Sequence, residues 1–307
     1  MAATDERRSA AIAAVGFDYE AQPKRLAREC NLCGSRRLTT IAHRDRYGFP
    51  ARASLCEHCG LAFLNPAMTG DGYAAFYDGV YRPLVSAFHG RRIDAESIQD
   101  EQREYAAEVA EMIETWRGER PAQRLLDIGG STGVVAHVIA QALEAEATVI
   151  DPAPLEIAEA QGLGLQTVTG LVEDYDAPPG SFDLILLCQT IDHLLDVRAT
   201  LEKIRALIAD DGLFFVDIVD FRAAYQRNAS VSAALKIDHP FSFVEETTEL
   251  HLARLGFEVV AKEYAADALH VRYLCAPARP QPDLEPDRDA VRALVREIRR
   301  TQVLSPG

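Results

Sequence analysis

Leu125-Leu126-Asp127-Ile128-Gly129-Gly130-Ser131-Thr132-Gly133 is an apolar run that closes on a turn rich in glycine, and Val134-Val135-Ala136-His137-Val138-Ile139-Ala140 continues it with helical spacing. The pattern predicts a strand, a tight turn and an amphipathic helix. Such a turn exposes bare backbone N–H groups at a helix N-terminus, where a ligand can approach closely. Further on, Thr148-Val149-Ile150-Asp151 reads as a second strand ending in a carboxylate. A carboxylate at that place can accept both hydroxyls of a ribose. The two stretches together predict a nucleoside-bearing ligand.

The next segments keep a strand–helix alternation. Ser181-Phe182-Asp183-Leu184-Ile185-Leu186-Leu187-Cys188 reads as a buried strand, followed by Gln189-Thr190-Ile191-Asp192-His193-Leu194-Leu195-Asp196. A helix is predicted over Val197 to Ala209, closed by Asp210-Asp211-Gly212, and Leu213 to Val219 is a further strand.

Asp127-x-Gly129-x-Ser131-x-Gly133 resembles the first motif of class I S-adenosylmethionine-dependent methyltransferases, Asp-x-Gly-x-Gly-x-Gly, with Ser131 at the middle glycine. Taken alone it also fits a turn for another nucleotide. The later run resembles the same family, with Asp192-His193 where it has Glu-His and Asp210-Asp211-Gly212 where it has Pro-Gly-Gly. The resemblance spans Arg124 to Ala276. It implies an α/β fold: a Rossmann-like class I methyltransferase sheet of seven strands, mostly parallel, with an antiparallel last strand. It also implies S-adenosyl-L-methionine as cofactor. Backbone at Gly129, Gly130, Ser131 and Gly133 would face the methionine part, Asp127 would orient the turn or touch the cofactor, and Asp151 would hold the ribose. Leu171 occupies the family's usual acidic adenine position, so Glu173 or the Val172 N–H is expected there. Cys188 and Gln189 would line the sulfonium.

Four of the six cysteines form two C-x-x-C pairs, Cys30/Cys33 and Cys56/Cys59, each followed by a glycine (Gly34, Gly60). Two such turns can close a tetrahedral thiolate site around structural zinc, with no position open for catalytic water. Disulfides and a redox pair are the alternatives. Farther on stand Asn65-Pro66 and Phe76-Tyr77-Asp78-Gly79-Val80-Tyr81-Arg82. This order ahead of a methyltransferase domain resembles the bacterial sugar methyltransferases with an N-terminal zinc-binding domain, which include deoxysugar C-methyltransferases. That resemblance implies a nucleotide-linked sugar or related metabolite as acceptor, and Tyr77, Tyr81 and Arg82 near cofactor or substrate. Packing on a helix face is the other reading of the tyrosines. The family's C-methyltransferases carry a further C-terminal domain, whereas this sequence ends at Gly307, so transfer to oxygen is the expectation.

The 307 residues are 48% hydrophobic with a net charge of −15, which disfavours attraction of the whole body to nucleic acid or anionic membrane. Between Lys24 and Cys59, however, eight basic residues face three acidic ones. This reads as ordinary variation or as a patch for a phosphorylated substrate. No apolar run approaches the ~18 residues needed to cross a membrane, and the first residues lack the order of a signal peptide, so a cytoplasmic chain is expected.

The expected organisation is a lead (1–22), a zinc-binding module (23–66), a helical linker or cap (67–118), the methyltransferase domain (119–276), and a linker with a C-terminal helix (277–307) used for packing or a homodimer contact. His193 is the first candidate base for removing a hydroxyl proton, and His239 the second, with Asp238 as a neighbour that could orient it. A helix-start histidine bonded to nearby backbone is the bland reading of His193. His89, His137, His251 and His270 are read as non-catalytic. Two other functions fit parts of the sequence: an RNA methyltransferase with a zinc module, and a cofactor-binding partner protein without catalysis.

Overall fold

The structure is a computed structural model that describes residues 2–94, 96–120 and 122–304. The N-terminal part forms α1 (Ala2–Ala14), β1 (Lys24–Arg25), β2 (Leu38–Ala42), β3 (Ala53–Cys56), β4 (Ala62–Leu64), β5 (Ala67–Met68), α2 (Gly70–Gly79), α3 (Tyr81–His89) and α4 (Gln99–Arg117). There follow β6 (Arg124–Ile128), α5 (Val134–Leu143), β7 (Glu146–Asp151), α6 (Pro154–Gly162), β8 (Gln166–Thr169), β9 (Phe182–Leu187), α7 (Val197–Leu207) and β10 (Ile208–Val219). The chain closes with α8 (Phe221–Asn228), β11 (Phe241–Ser242), α9 (Glu245–Arg254), β12 (Phe257–Tyr264), β13 (His270–Pro277) and α10 (Arg288–Leu304).

The main sheet has seven strands in the order β12-β13-β10-β9-β6-β7-β8. β13 pairs antiparallel with both β10 and β12, and the pairs from β10 to β8 are parallel. This is the expected mostly parallel sheet with a reversed last strand. Its central strands are rich in apolar residues that face inward on both sides because helices cover both faces. Leu125, Leu184, Leu186 and Phe215 pack on one side with Val109, Ile113 and Ile139. Leu126, Ile185, Leu187, Phe214 and Val216 pack on the other with Leu201 and Ile204. The strand order reverses between β6 and β9, and the carboxyl ends of strands at such a reversal border a crevice where ligands bind in open α/β sheets.

The helix expected to run to Ala209 stops at Leu207, and Asp210-Asp211-Gly212 lies within β10 instead. The register with β9 shifts between Ile208 and Leu213. A Cβ on Gly212 would stand 2.8 Å from the Asp183 carbonyl oxygen, so this close approach, rather than a helix cap, uses the glycine.

A second sheet has the order β11-β4-β3-β2. Three of its strands belong to the cysteine-bearing module. The fourth, β11, comes from the segment after β10 and pairs antiparallel with β4, Phe241 opposite Phe63 and Ser242 opposite Ala62. Side chains of α1, this module, α2, α3, α8 and α10 share one core around Tyr73, Phe76, Phe221, Tyr225, Leu294 and Ile298. The apolar face of α10 is thus covered by its own chain.

Asp45 fastens the segment between α8 and β11 to the module. One carboxylate oxygen accepts the N–H groups of Tyr47 and Phe49 at 3.0 and 2.9 Å, and the other accepts Ile237 N–H at 3.0 Å. Asp45→Ala leaves these three donors without their acceptor and should destabilise the protein by about 2–4 kcal/mol. Urea unfolding measures this as a lower midpoint at unchanged slope. An unchanged midpoint would show that the segment holds its place without the tether.

Candidate active site

The glycine turn joins β6 to α5. Gly129, Ser131 and Gly133 all have positive φ, at 70°, 51° and 76°. A Cβ on Gly129 would stand 2.5 Å from Thr190 Cγ2, and one on Gly133 would stand 2.7 Å from Leu165 Cδ1 and 2.8 Å from Ala160 Cβ. A Cβ on Gly130 would stand 2.5 Å from a carboxylate oxygen of Asp127. Ser131 takes the left-handed conformation that favours glycine and is anchored there by two hydrogen bonds. Its N–H donates to Asp151 at 3.1 Å and its hydroxyl to Glu156 at 2.7 Å. The left-handed conformation costs about 1–2 kcal/mol, which a hydrogen bond to a charged acceptor, about 1.5–3 kcal/mol, offsets. Glu156 also faces Arg82 at 3.4 Å, so Arg82 reaches the turn through Glu156.

Asp127 is buried beneath the turn, and neither of its carboxylate oxygens has a hydrogen-bond partner among the described residues. Burial, reinforced by Asp151, pushes its pKa up to about 8. The hydrogen-bonding capacity of this group is thus unmet beneath the turn among the described residues. Asp151 ends β7 and accepts from Ala153 N–H at 2.8 Å and from Ser131 N–H, and each oxygen keeps a further lone pair. Across the crevice, Cys188 and Gln189 follow β9. Gln189 has a φ of 48°, and its N–H donates to Asp217 at 2.6 Å. Asp217 also accepts from Tyr105 at 2.9 Å, and burial raises its pKa to about 6. Val172 is buried at the start of a short 3-10 turn, Glu173 accepts from the Thr200 hydroxyl on α7, and Leu171 is exposed.

A second group of side chains gathers beside this crevice. His193 and His239 lie with ring centroids 4.4 Å apart. His193 Nδ1 is 2.7 Å from the Tyr77 hydroxyl, which donates to the Asp238 carbonyl at 3.1 Å. The hydroxyl has one proton. With that proton on the carbonyl, His193 Nδ1–H donates to the Tyr77 oxygen and Nε2 carries the free lone pair. The reverse arrangement leaves the Asp238 carbonyl without its donor, so the first satisfies more groups. The nearest carboxylate to Nε2 is Asp192, at 4.0 Å. Burial, with His239 adding to it, lowers the His193 pKa to about 4. Tyr81 packs edge-on against Tyr77, with centroids 5.2 Å apart.

His239 is bound on both ring nitrogens. Nδ1 is 2.5 Å from Asp192, and Nε2 is 3.1 Å from Lys236 Nζ. Lysine only donates, so Nε2 accepts and Nδ1–H faces the carboxylate. Burial alone would raise Asp192, but the hydrogen bond from His239, with the Lys236 charge adding to it, holds it well below the usual carboxylate range. Asp238, the neighbour expected to orient His239, reaches Nε2 only at 3.5 Å, so Asp192 does the orienting. The roles of Asp192, Asp217 and Glu156 escape sequence reasoning because each acts on a residue distant along the chain.

The four cysteines converge. Cys30 and Cys59 sulfurs are 3.7 Å apart, Cys33 and Cys56 sulfurs 3.6 Å, and all four lie within 4.8 Å of one another. Four sulfurs about 2.3 Å from a tetrahedral zinc stand about 3.8 Å apart. The two knuckles repeat one geometry. Cys30 N–H donates to Ser35 and Gly34 N–H to Cys30, as Cys56 N–H donates to Leu61 and Gly60 N–H to Cys56. Gly34 and Gly60 have φ of 68° and 86°.

A family model described as a methyltransferase domain matches residues 98–262. The chain belongs to this family. The chain is also similar to a ubiquinone biosynthesis O-methyltransferase of Methylocella silvestris, at 34% identity over 98 residues, covering 30% of this chain and 38% of the relative. The match therefore spans little more than a third of that relative's length. A malonyl-[acyl-carrier protein] O-methyltransferase of Geobacter sulfurreducens is 28% identical over 193 residues, covering 58% of this chain and 71% of the relative. Among solved structures, a magnesium protoporphyrin IX methyltransferase from Synechocystis with bound SAH aligns with a TM-score of 0.47 at 13% identity, covering 61% of this chain and 89% of that one. Among the described residues no helix is long and apolar enough to cross a membrane.

The low pKa of His193 has a measurable sign. An unfolded histidine titrates near 6.5, and the folded imidazole stays neutral down to about 4. Its contribution to stability is therefore present above pH 6.5 and is lost as pH falls toward 4. NMR titration of the assigned His193 ring should give a midpoint near 4. A midpoint at or above 6.5 would mean that the ring is solvated or paired with Asp192.

Proposed function

We propose that the protein is an S-adenosylmethionine-dependent methyltransferase that transfers a methyl group to a hydroxyl of a small-molecule acceptor. The observation that carries this reading is the buried, unpartnered Asp127 carboxylate under a left-handed glycine turn, at the crevice where the strand order reverses. The turn at Gly129, Gly130, Ser131 and Gly133, with Asp127 beneath it, suits the amino-acid part of the cofactor. Asp151 suits the ribose, and Val172 and Glu173 lie on the adenine side. Cys188 and Gln189 border the sulfonium, which supplies the activated methyl group. Tyr77, Tyr81 and Arg82 close the site from α2 and α3.

His193 is the base in this reading, because its Nε2 lone pair is free while both nitrogens of His239 are occupied. Tyr77 fixes the tautomer, and the Asp192–His239–Lys236 set packs behind the ring. Cys30, Cys33, Cys56 and Cys59 hold a structural zinc. The O-methyltransferase names of the relatives support oxygen as the receiving atom. The N-terminal motifs shared with sugar methyltransferases support a nucleotide-linked sugar or similar metabolite as acceptor.

Calorimetry with S-adenosylhomocysteine tests the cofactor site. Binding by the native protein that is lost in Asp151→Ala is the expected result, and a folded protein that binds none ends the proposal. His193→Ala should lower kcat by about 10²–10⁴-fold while leaving S-adenosylhomocysteine affinity unchanged. Near-native turnover would remove His193 as base.

Metal analysis should find zinc at about one equivalent per chain, absent from a Cys56→Ser variant. Because β11 pairs with β4, chelation should abolish methyl transfer before it abolishes cofactor binding. Full activity of metal-free protein would overturn both parts.

A further inference from the structure

Arg46 is a half-buried cation of the N-terminal module. Its Nε is buried without a hydrogen-bond partner, and no carboxylate pairs with its guanidinium among the described residues. The guanidinium lies over the Phe88 ring, 4.1 Å from the centroid, and the Arg8 guanidinium lies 4.8 Å from the same centroid. Two like charges thus share one aromatic ring. Stacking satisfies the face of a guanidinium and leaves its in-plane N–H donors directed outward, the edge that pairs with phosphate or carboxylate.

The neighbouring acids are committed elsewhere. Asp45 accepts three backbone N–H groups, and Asp192 is bound to His239. Asp238 lies 3.5 Å from His239. The backbone N–H of Arg46 donates to Leu235 at 2.9 Å, and the next residue, Lys236, contacts His239 at 3.1 Å. Arg46 lies close enough to Lys236 to help lower its pKa, after the larger effect of burial. The unpaired charge therefore stands beside Lys236, which links it to His239.

We propose that the methyl acceptor is anionic and that its phosphate or carboxylate docks on the Arg46–Arg8 pair over Phe88, with Lys236 at the inner edge. This rests on the methyltransferase reading above. It gives the positive excess of the N-terminal module a site-specific use: it fixes the distance between the anionic group and the oxygen that meets His193. Arg46 and Arg8 are positioning residues here, since neither touches the reacting atoms.

The test is calorimetry on protein saturated with S-adenosylhomocysteine, titrated separately with pyrophosphate and with malonate. The expected result is saturable binding of at least one of them, weakened about tenfold or more in Arg46→Gln and in Arg8→Gln, and unchanged in Arg292→Gln on the exposed face of α10. Pyrophosphate alone identifies a phosphorylated acceptor, and malonate alone a carboxylated one. Should Arg46→Gln fail to fold, Arg8→Gln on the exposed face of α1 decides the matter. Absence of anion binding while S-adenosylhomocysteine binds would overturn the subsite and leave the methyltransferase reading standing. Equal weakening in Arg292→Gln would overturn it as well. Failure of S-adenosylhomocysteine to bind strikes the parent reading instead, and the same titrations without it then decide the subsite.

Discussion

The pairing of β11 with β4 holds together the parts of this molecule that carry its chemistry. The shared edge is two residues long, Phe241 and Ser242 against Phe63 and Ala62, which would be marginal alone. It is reinforced on both flanks. Leu64 N–H donates to the Pro240 carbonyl at 2.8 Å, and Arg46 N–H to the Leu235 carbonyl at 2.9 Å. Tyr73 donates to the Ile237 carbonyl at 3.0 Å, and Asp45 takes the Ile237 N–H. These bonds hold 235–243, and with it His239 and Lys236, in a fixed place relative to the cysteine knuckles. The module therefore builds one wall of the candidate acceptor site, whereas the seven-stranded sheet builds the cofactor side. A metal that locks the knuckles would act on the chemistry through this wall, without a coordination position of its own in the reaction.

Burying so many ionisable groups side by side needs a reason. Charges taken from water are costly unless paired with good geometry, and apolar replacements of buried ion pairs are often as stable or more so. Asp192, His239 and Lys236 meet that geometric demand. His193 does not: it is held by Tyr77 at one nitrogen and left bare at the other, with a pKa pressed down by burial. His239, in contrast, uses both of its nitrogens. The contrast between two rings 4.4 Å apart is the pattern expected where one group acts and its neighbour orients.

What could be read in the sequence follows from the range of each interaction. The strand–turn–helix at 125–140, the strand ends and the two knuckles depend on residues close together in the chain, and periodicity and turn chemistry report them directly. Gly34 and Gly60 illustrate this, since a knuckle geometry repeated at both sites dictates their left-handed backbone. Asp192 with His239, Glu156 with Ser131, and Asp45 with Ile237 span tens to nearly two hundred residues, and nothing local marks one partner for the other. Asp210-Asp211-Gly212 misleads for a related reason. It has the composition of a helix stop, but the glycine is required by the approach of the Asp183 carbonyl on a neighbouring strand.

Ser131 shows how such distant partners settle a local question. Seen only in sequence, a serine at a glycine position of the turn is a penalty of about 1–2 kcal/mol for left-handed backbone. In the fold its hydroxyl meets Glu156, which also faces Arg82, so the turn is tied to α6 and, through Arg82, to α3. A glycine there would relax the backbone and lose the link. The side chain thus exchanges intrinsic conformational freedom for rigidity between the glycine turn and helices α3 and α6, and such rigidity is what the proposed alignment of an acceptor with a methyl donor requires.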